Sequence, residues 1–278
     1  MKTPVTDQMA ALAHERRLDV FRLLMRRYPD AVPAGEIASV LGLRPNTASV
    51  YLSSLRQAGL ISQTRQGTFQ LYQVKLDAVQ NMFRKLLGDC CRNRPDICLP
   101  GMSAQPDLRL TDDRPLNVLF LCSQNSARSI MAEALLRGSG ARYNAHSAGT
   151  APTSGPNPLA LAVLRQNDVS VDGLGCKPVG QYLNGAAPMD FVITVCDRAA
   201  NDDVAKWPGR PIHAHWGLPD PLEQPTEALR KAAMEDTFRA LRDKIDTLVR
   251  MPLDAIDPAE LQHRLDAIGR QETLVPAD

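Results

Sequence analysis

Six cysteines in 278 residues are the first candidates for chemistry, and one of them sits in an informative setting. In NVLFLCSQNSARS (117–129) an apolar run leads straight into Cys122, five residues intervene, and Arg128 and Ser129 open the next segment. A loop between a strand end and a helix N-terminus turns successive backbone N–H groups inward and makes a nest for a tetrahedral oxyanion. The N–H groups of Ser123, Gln124, Ser126 and Ala127 are expected to bind such a substrate, with Arg128 as a bidentate clamp on two of its oxygens. The same dipoles and guanidinium favour the thiolate of Cys122, a nucleophile near neutral pH. Ser129 is placed to hydrogen-bond that thiolate. Displacement at an oxyanion also needs an acid for the departing oxygen. Asp220, between two prolines in HAHWGLPDP (213–221), is the candidate, since it follows an expected strand on the same rim as Cys122.

These residues require strands alternating with helices. Strands are expected at Asn117–Leu121, Ala141–Ser147, Phe191–Val195 and Pro211–His215. Helices are expected at Ser129–Arg137, Leu159–Gln166, Thr226–Arg250 and Pro258–Gly269. That alternation predicts an α/β domain with a parallel sheet over residues 115–278. The tract LPGMSAQPDLRLTDDR (99–114) is rich in proline and aspartate, lacks periodicity, and reads as a linker.

Residues 1–98 follow another pattern. Apolar residues at helical spacing predict a helix over Thr6–Arg27, then Ala34–Leu41, a break at Gly42, and Pro45–Ala58 with proline in a tolerated first turn. Two strand-like runs, Leu60–Thr64 and Thr68–Val74, flank Arg65-Gln66-Gly67, and a helix over Leu76–Leu87 follows. This is an α+β winged helix-turn-helix. Charge agrees with a polyanion partner: residues 1–100 hold 14 basic and 8 acidic side chains, and the remainder 18 and 23. No apolar stretch is long enough to span a membrane, and the first residues lack a signal-peptide core, so a cytoplasmic protein is expected. In that reducing compartment the cysteines are candidates for catalysis or metalloid binding rather than structural disulfides.

The second half resembles the low-molecular-weight tyrosine phosphatase fold in its arsenate reductase branch. The resemblance lies in VLFLCSQNSARS, HSAGT (146–150), KPV (177–179), FVITVCD (191–197) and HWGLPDP (215–221). It implies that Cys122 is the nucleophile, Arg128 the oxyanion ligand and Asp220 the acid, with Asn125 and Ser147 supporting the loop. Tyrosine phosphatases of this fold usually carry aromatics after the Asp-Pro pair. Leu222-Glu223-Gln224 stands there instead and favours a small inorganic substrate. Cys196 matches the second redox cysteine of thioredoxin-coupled relatives. Their third cysteine has no counterpart, with Val204 near its place. The electron donor thus stays open: glutathione acting on the arsenic adduct, or a Cys122–Cys196 pair reduced by glutaredoxin or thioredoxin. Cys176 could substitute in principle, although a core cysteine flanking a helix is the simpler reading.

The first half resembles the ArsR family of metalloid-responsive repressors, in LGLRPNTASVYLSSLRQAGLISQTRQG (41–67). The resemblance implies a recognition helix that brings Asn46, Thr47, Ser49 and Tyr51 to bases or phosphates of operator DNA, and backbone or minor-groove contacts from Arg56, Arg65 and Gln66. The helix before it lacks the cysteines with which many such repressors hold arsenite. Cys90, Cys91 and Cys98 in GDCCRNRPDIC are expected to bind arsenite as effector, because that soft ion takes three thiolates. A four-thiolate zinc site would lack a ligand. A homodimer is expected through the first and last helices of this unit. The combined expectation is an arsenic-responsive repressor fused to a thiol-dependent arsenate reductase, with no tightly bound cofactor. The alternatives are a protein tyrosine phosphatase, a regulator with a catalytically silent oxyanion-binding domain, and a zinc or redox repressor.

Overall fold

The computed structural model describes residues 4–87, 114–140, 142–184, 188–202, 207–209, 211–253, 256 and 258–270. The chain divides into two compact units, Met1–Gln105 and Pro106–Asp278.

In the first unit, α1 (Val5–Leu12) and α2 (Glu15–Arg27) replace the single expected helix over Thr6–Arg27. The break has a physical cause. Arg17 folds back to donate from Nε to the carbonyl of Ala11 at 2.6 Å and from Nη2 to that of Ala10 at 2.9 Å. It thereby satisfies carbonyls that a helix end would otherwise leave orphaned. Strand β1 (Val32–Pro33), α3 (Ala34–Val40), α4 (Pro45–Gln57), β2 (Ile61–Gln66), β3 (Phe69–Val74) and α5 (Leu76–Lys85) follow. The wing is an antiparallel sheet in the order β1-β3-β2, with Gln66 opposite Phe69 at its tip. Gly42, between α3 and α4, has a φ of 59°, which suits glycine in a tight turn. Val20, Leu23 and Leu24 of α2, Leu52 and Leu55 of α4, and Ile61 form the core.

The second unit contains β4 (Leu116–Cys122), α6 (Arg128–Gly138), β5 (Tyr143–Gly149), α7 (Pro158–Gln166), α8 (Gly180–Leu183), β6 (Phe191–Thr194), α9 (Asp197–Asn201) and β7 (Ile212–His215). A 3-10 turn at Pro221–Glu223, α10 (Glu227–Val249) and α11 (Pro258–Arg270) complete it. All four strands are parallel, in the order β5-β4-β6-β7. Sequence periodicity had not anticipated the short helices α8 and α9, each no more than five residues long. The first connection runs from β4 to one side and a later one returns to the other, so the switch point of the topology falls at the C-terminal end of β4. Open α/β sheets bind their ligands at that place. Cys122 is the last residue of β4.

Trp216, fully buried, packs its ring 6.1 Å from that of Phe120 and donates from Nε1 to the carbonyl of Leu265 at 3.1 Å, joining sheet to α11. Lys244, buried on α10, donates to the carbonyls of Ile268 at 2.6 Å and Gly269 at 3.3 Å, near the C-terminal end of α11. Replacing Trp216 by Ala is expected to destabilise this unit by about 3–5 kcal/mol through the cavity it leaves. Urea denaturation followed by circular dichroism would measure the lowered midpoint.

Candidate functional site

The loop after β4 is held by its carbonyl groups. Thr150 N–H donates to the carbonyl of Cys122 at 3.1 Å, Ala151 to Ser123 at 2.8 Å, Thr153 to Gln124 at 3.0 Å and Asn157 to Ser126 at 2.8 Å. The carbonyl of Asn125 accepts from the Cys176 thiol at 2.9 Å. Every carbonyl from Cys122 to Ser126 is therefore tied outward. In a trans peptide the C=O of one residue and the N–H of the next point to opposite sides. The N–H groups of residues 123–127 consequently face inward, as the oxyanion nest requires, and that of Asn125 donates to Cys122 Sγ at 3.1 Å.

Asn125 turns this corner with a φ of 50°, a left-handed conformation that costs a non-glycine residue on the order of 1–3 kcal/mol. Its fully buried amide is bonded on three sides to hold it there. Nδ2 donates to Ser129 Oγ at 2.9 Å and to Ser147 Oγ at 2.8 Å, while Oδ1 accepts from the Lys177 N–H at 2.7 Å. Ser129 Oγ lies 2.9 Å from Cys122 Sγ. Gly149 makes this approach possible, since a Cβ there would stand 2.7 Å from the carbonyl oxygen of Ser123.

Arg128, the first residue of α6, is 8% exposed and reaches across the mouth of the loop. Its Nη1 donates to the carbonyl of Leu218 at 2.8 Å, and its Nη2 donates to Asp220 Oδ2 at 2.7 Å. Asp220 Oδ1 accepts from Leu222 N–H at 3.0 Å, which fixes the carboxylate at the start of the 3-10 turn. Cys122, Gln124, Ser126, Arg128 and Asp220 line a small cleft, with Leu222 at its edge. A cleft this narrow has room for a small anion and not for a drug-sized ligand.

Cys196 follows β6, the strand beside β4, with Leu121 in register with Thr194. It is fully buried, and its Sγ lies 4.0 Å from Ser123 Oγ. Burial pushes the thiol up from its ordinary value; the Arg128 guanidinium opposes this and Cys122 adds to it. Cys176 is half-buried in the segment before the Gly149–Pro178 bridge, not in a core flanking a helix, and it contacts the loop directly. Val204 lies outside the described residues, as do Cys90, Cys91 and Cys98. Sequence reasoning missed Glu133, Lys177, Gly149 and the carbonyl ties from residues 150–157. HSAGT and KPV marked these segments, but nothing in them indicated which backbone groups meet the loop.

In the first unit α4 exposes Asn46, Ser49, Val50 and Arg56 along one face and buries Ala48, Leu52 and Leu55. Thr47 is half-buried, and the Ser49 hydroxyl donates back to the Pro45 carbonyl at 3.0 Å. Tyr51 is turned away from that face, half-buried with its ring 5.2 Å from that of His14. Arg65 and Gln66 are exposed at the wing, where Arg65 Nε donates to the Gly67 carbonyl at 3.1 Å. Val50 and Phe69, both more than 60% exposed, join the set as apolar tips that the sequence had not singled out.

Two outcomes follow. Gly149→Ala is expected to displace the loop and abolish oxyanion binding, as phosphate titration followed by calorimetry or chemical shifts would show. Because its thiol is raised and buried, Cys196 is expected to react with iodoacetamide far more slowly than Cys122 at pH 7, and to catch up only as alkali generates its thiolate. Peptide mass spectrometry would read both rates.

The comparisons agree with this geometry. The model of the low molecular weight phosphotyrosine protein phosphatase family matches residues 117–263, more than half of the chain, and a helix-turn-helix domain model matches residues 12–64. An arsenate reductase from Oceanobacillus iheyensis is 32% identical over 139 residues, which are 48% of this chain and 92% of the relative. A glutaredoxin arsenate reductase from Synechocystis is 30% identical over 113 residues, 41% of this chain and 84% of the relative. Among solved structures, the homodimeric winged helix-turn-helix domain of a possible ArsR-family regulator from Mycobacterium bovis is 30% identical, with a TM-score of 0.26, over 31% of this chain and 78% of that one. With its family match and relatives of this identity, the chain belongs to the low molecular weight phosphotyrosine protein phosphatase family, with arsenate reductases among its relatives, and carries a winged helix-turn-helix domain ahead of it.

Proposed function

We propose that the second unit reduces arsenate to arsenite and that the first is a repressor that arsenite releases from its operator. The observation that carries the enzymatic half is the loop whose five carbonyls are tied outward around Cys122, with Arg128 across its mouth. Arsenate, a tetrahedral oxyanion, occupies the inward N–H groups and takes Nη2 of Arg128 from Asp220. The carboxylate so released, in its acid form, protonates the departing oxygen as the Cys122 thiolate forms a sulfur–arsenic bond. A second thiol then attacks Cys122 Sγ. The sulfur–arsenic electron pair passes to arsenic, which goes from As(V) to As(III), and two thiols become one disulfide. The buried position of Cys196 beside the loop supports it as that second thiol. Glutaredoxin with glutathione, or thioredoxin, then supplies the two electrons that restore the thiols.

Arsenite leaving this site is the ligand that three thiolates at Cys90, Cys91 and Cys98 would hold. The exposed face of α4 and the wing suit operator DNA, in the way that Asn46, Ser49, Val50, Arg56 and Arg65 project. Met9 of α1 and Phe83 of α5, both about half exposed, support a dimer through these helices. Among the described residues no helix is long and apolar enough to cross a membrane.

The test is arsenite formation from arsenate by the full chain, with the glutathione–glutaredoxin and thioredoxin systems supplied separately. Turnover is expected with one donor and at least 1,000-fold less, on the order expected for loss of a nucleophile, in Cys122→Ser. Rapid hydrolysis of an aryl phosphate without arsenate turnover would instead assign a phosphatase. In operator binding, arsenite is expected to weaken the wild type but not Cys90→Ser/Cys91→Ser.

A further inference from the structure

We propose that Val50 is a residue of α4 that determines operator sequence, by packing against the C5-methyl group of a thymine in the major groove. The inference rests on the first unit binding DNA and names the base that its exposed helix face reads. Val50 is the sixth residue of α4 (Pro45–Gln57) and is 64% exposed. No large hydrophobic side chain among the described residues is more exposed. The helix gives it no local reason to be there, because a β-branched side chain loses rotamer freedom on a helix and gains nothing from water. Nor does the core, since α4 buries Ala48, Leu52 and Leu55 on its other side. Met9 and Phe83 lie on α1 and α5, the helices of the proposed dimer, and Val50 lies on neither.

The surroundings of Val50 fit one kind of partner. Residues 37–76, which span α4 and both strands of the wing, contain Arg44, Arg56, Arg65 and Lys75 and no aspartate or glutamate. Arg44 and Arg56, towards the two ends of the helix, and Arg65 on the wing are exposed. An acid-free cationic surround suits the phosphates of a duplex. A recognition helix in the major groove sets the residues of its N-terminal half on base edges. Among those edges only thymine carries an apolar group. The others offer donors or acceptors that an isopropyl group would strip of water without replacing the hydrogen bond. Val50 thus favours thymine and also penalises the alternatives. Ser49 beside it spends its hydroxyl proton on the Pro45 carbonyl at 3.0 Å and has none for thymine O4. At that base, recognition falls to the methyl group.

The experiment uses duplexes that the full chain selects from a random-sequence pool. Each thymine of the selected site is replaced in turn by deoxyuridine, which lacks only the methyl group, and binding is measured by fluorescence anisotropy. Wild type is expected to bind about fourfold more weakly when uracil stands at one position of each half-site, the loss that one buried methyl group accounts for. Val50→Ala places a better helix former at an exposed position and keeps the fold. In that variant the same replacement is expected to leave affinity unchanged. If no replacement weakens wild type, or if Val50→Ala is weakened as much as wild type, the proposal is overturned. A full chain that selects no duplex overturns the DNA-binding reading itself. One that selects a duplex yet shows no uracil effect keeps that reading and loses only this base contact.

Discussion

The site depends on where the carbonyls of one short loop point. An oxyanion nest is made of N–H groups, but N–H groups have no intrinsic reason to converge. They converge here because five successive carbonyls are each claimed from outside, four by backbone N–H groups of residues 150–157 and one by the thiol of Cys176. Peptide planarity does the rest. The segment after β5 is therefore as much a part of the oxyanion site as the loop itself. Gly149, where that segment begins, must lack a side chain for the two to approach.

Around that frame the polar groups divide by charge. At the mouth, Arg128 holds Asp220 across the cleft in an ion pair. Beneath the loop, the buried Glu133 pairs with the partly buried Lys177 and the exposed Arg137, and hydrogen bonds lead from it through Ser147, Asn125 and Ser129 to Cys122. The thiols divide in the same way. Cys122 accepts from the Asn125 N–H and lies beside Ser129 Oγ, whereas burial disfavours the thiolate of Cys196.

The proposed reading joins two units by the chemistry of one element. An anion with four oxygens suits a nest of N–H groups, and its reduced form, soft and thiophilic, suits cysteines. In the proposed function the first kind of ligand would meet the loop at Cys122 and the second the thiolates of Cys90, Cys91 and Cys98.

The sequence by itself determined the two-unit organisation, the winged helix-turn-helix and the parallel α/β fold, because alternating and helical apolar periods are local properties. It also singled out Cys122, Arg128 and Ser129, since a loop at a strand end is written in adjacent residues, whereas the contact of Asp220 with Arg128 spans 92 residues and came with the fold. Other features came only with tertiary structure. Arg17 caps α1 and breaks a continuous apolar period, which periodicity cannot reveal. Tyr51 lies on the recognition helix yet packs on His14, because rotation of the helix against its neighbours decides what faces outward. Glu133 and Lys177 are 44 residues apart and read separately as ordinary surface charges. Only the packing of α6 against β5 and the following segment brings them together, pairing a partly buried lysine with a buried glutamate, because contacts between distant segments are not written in either one.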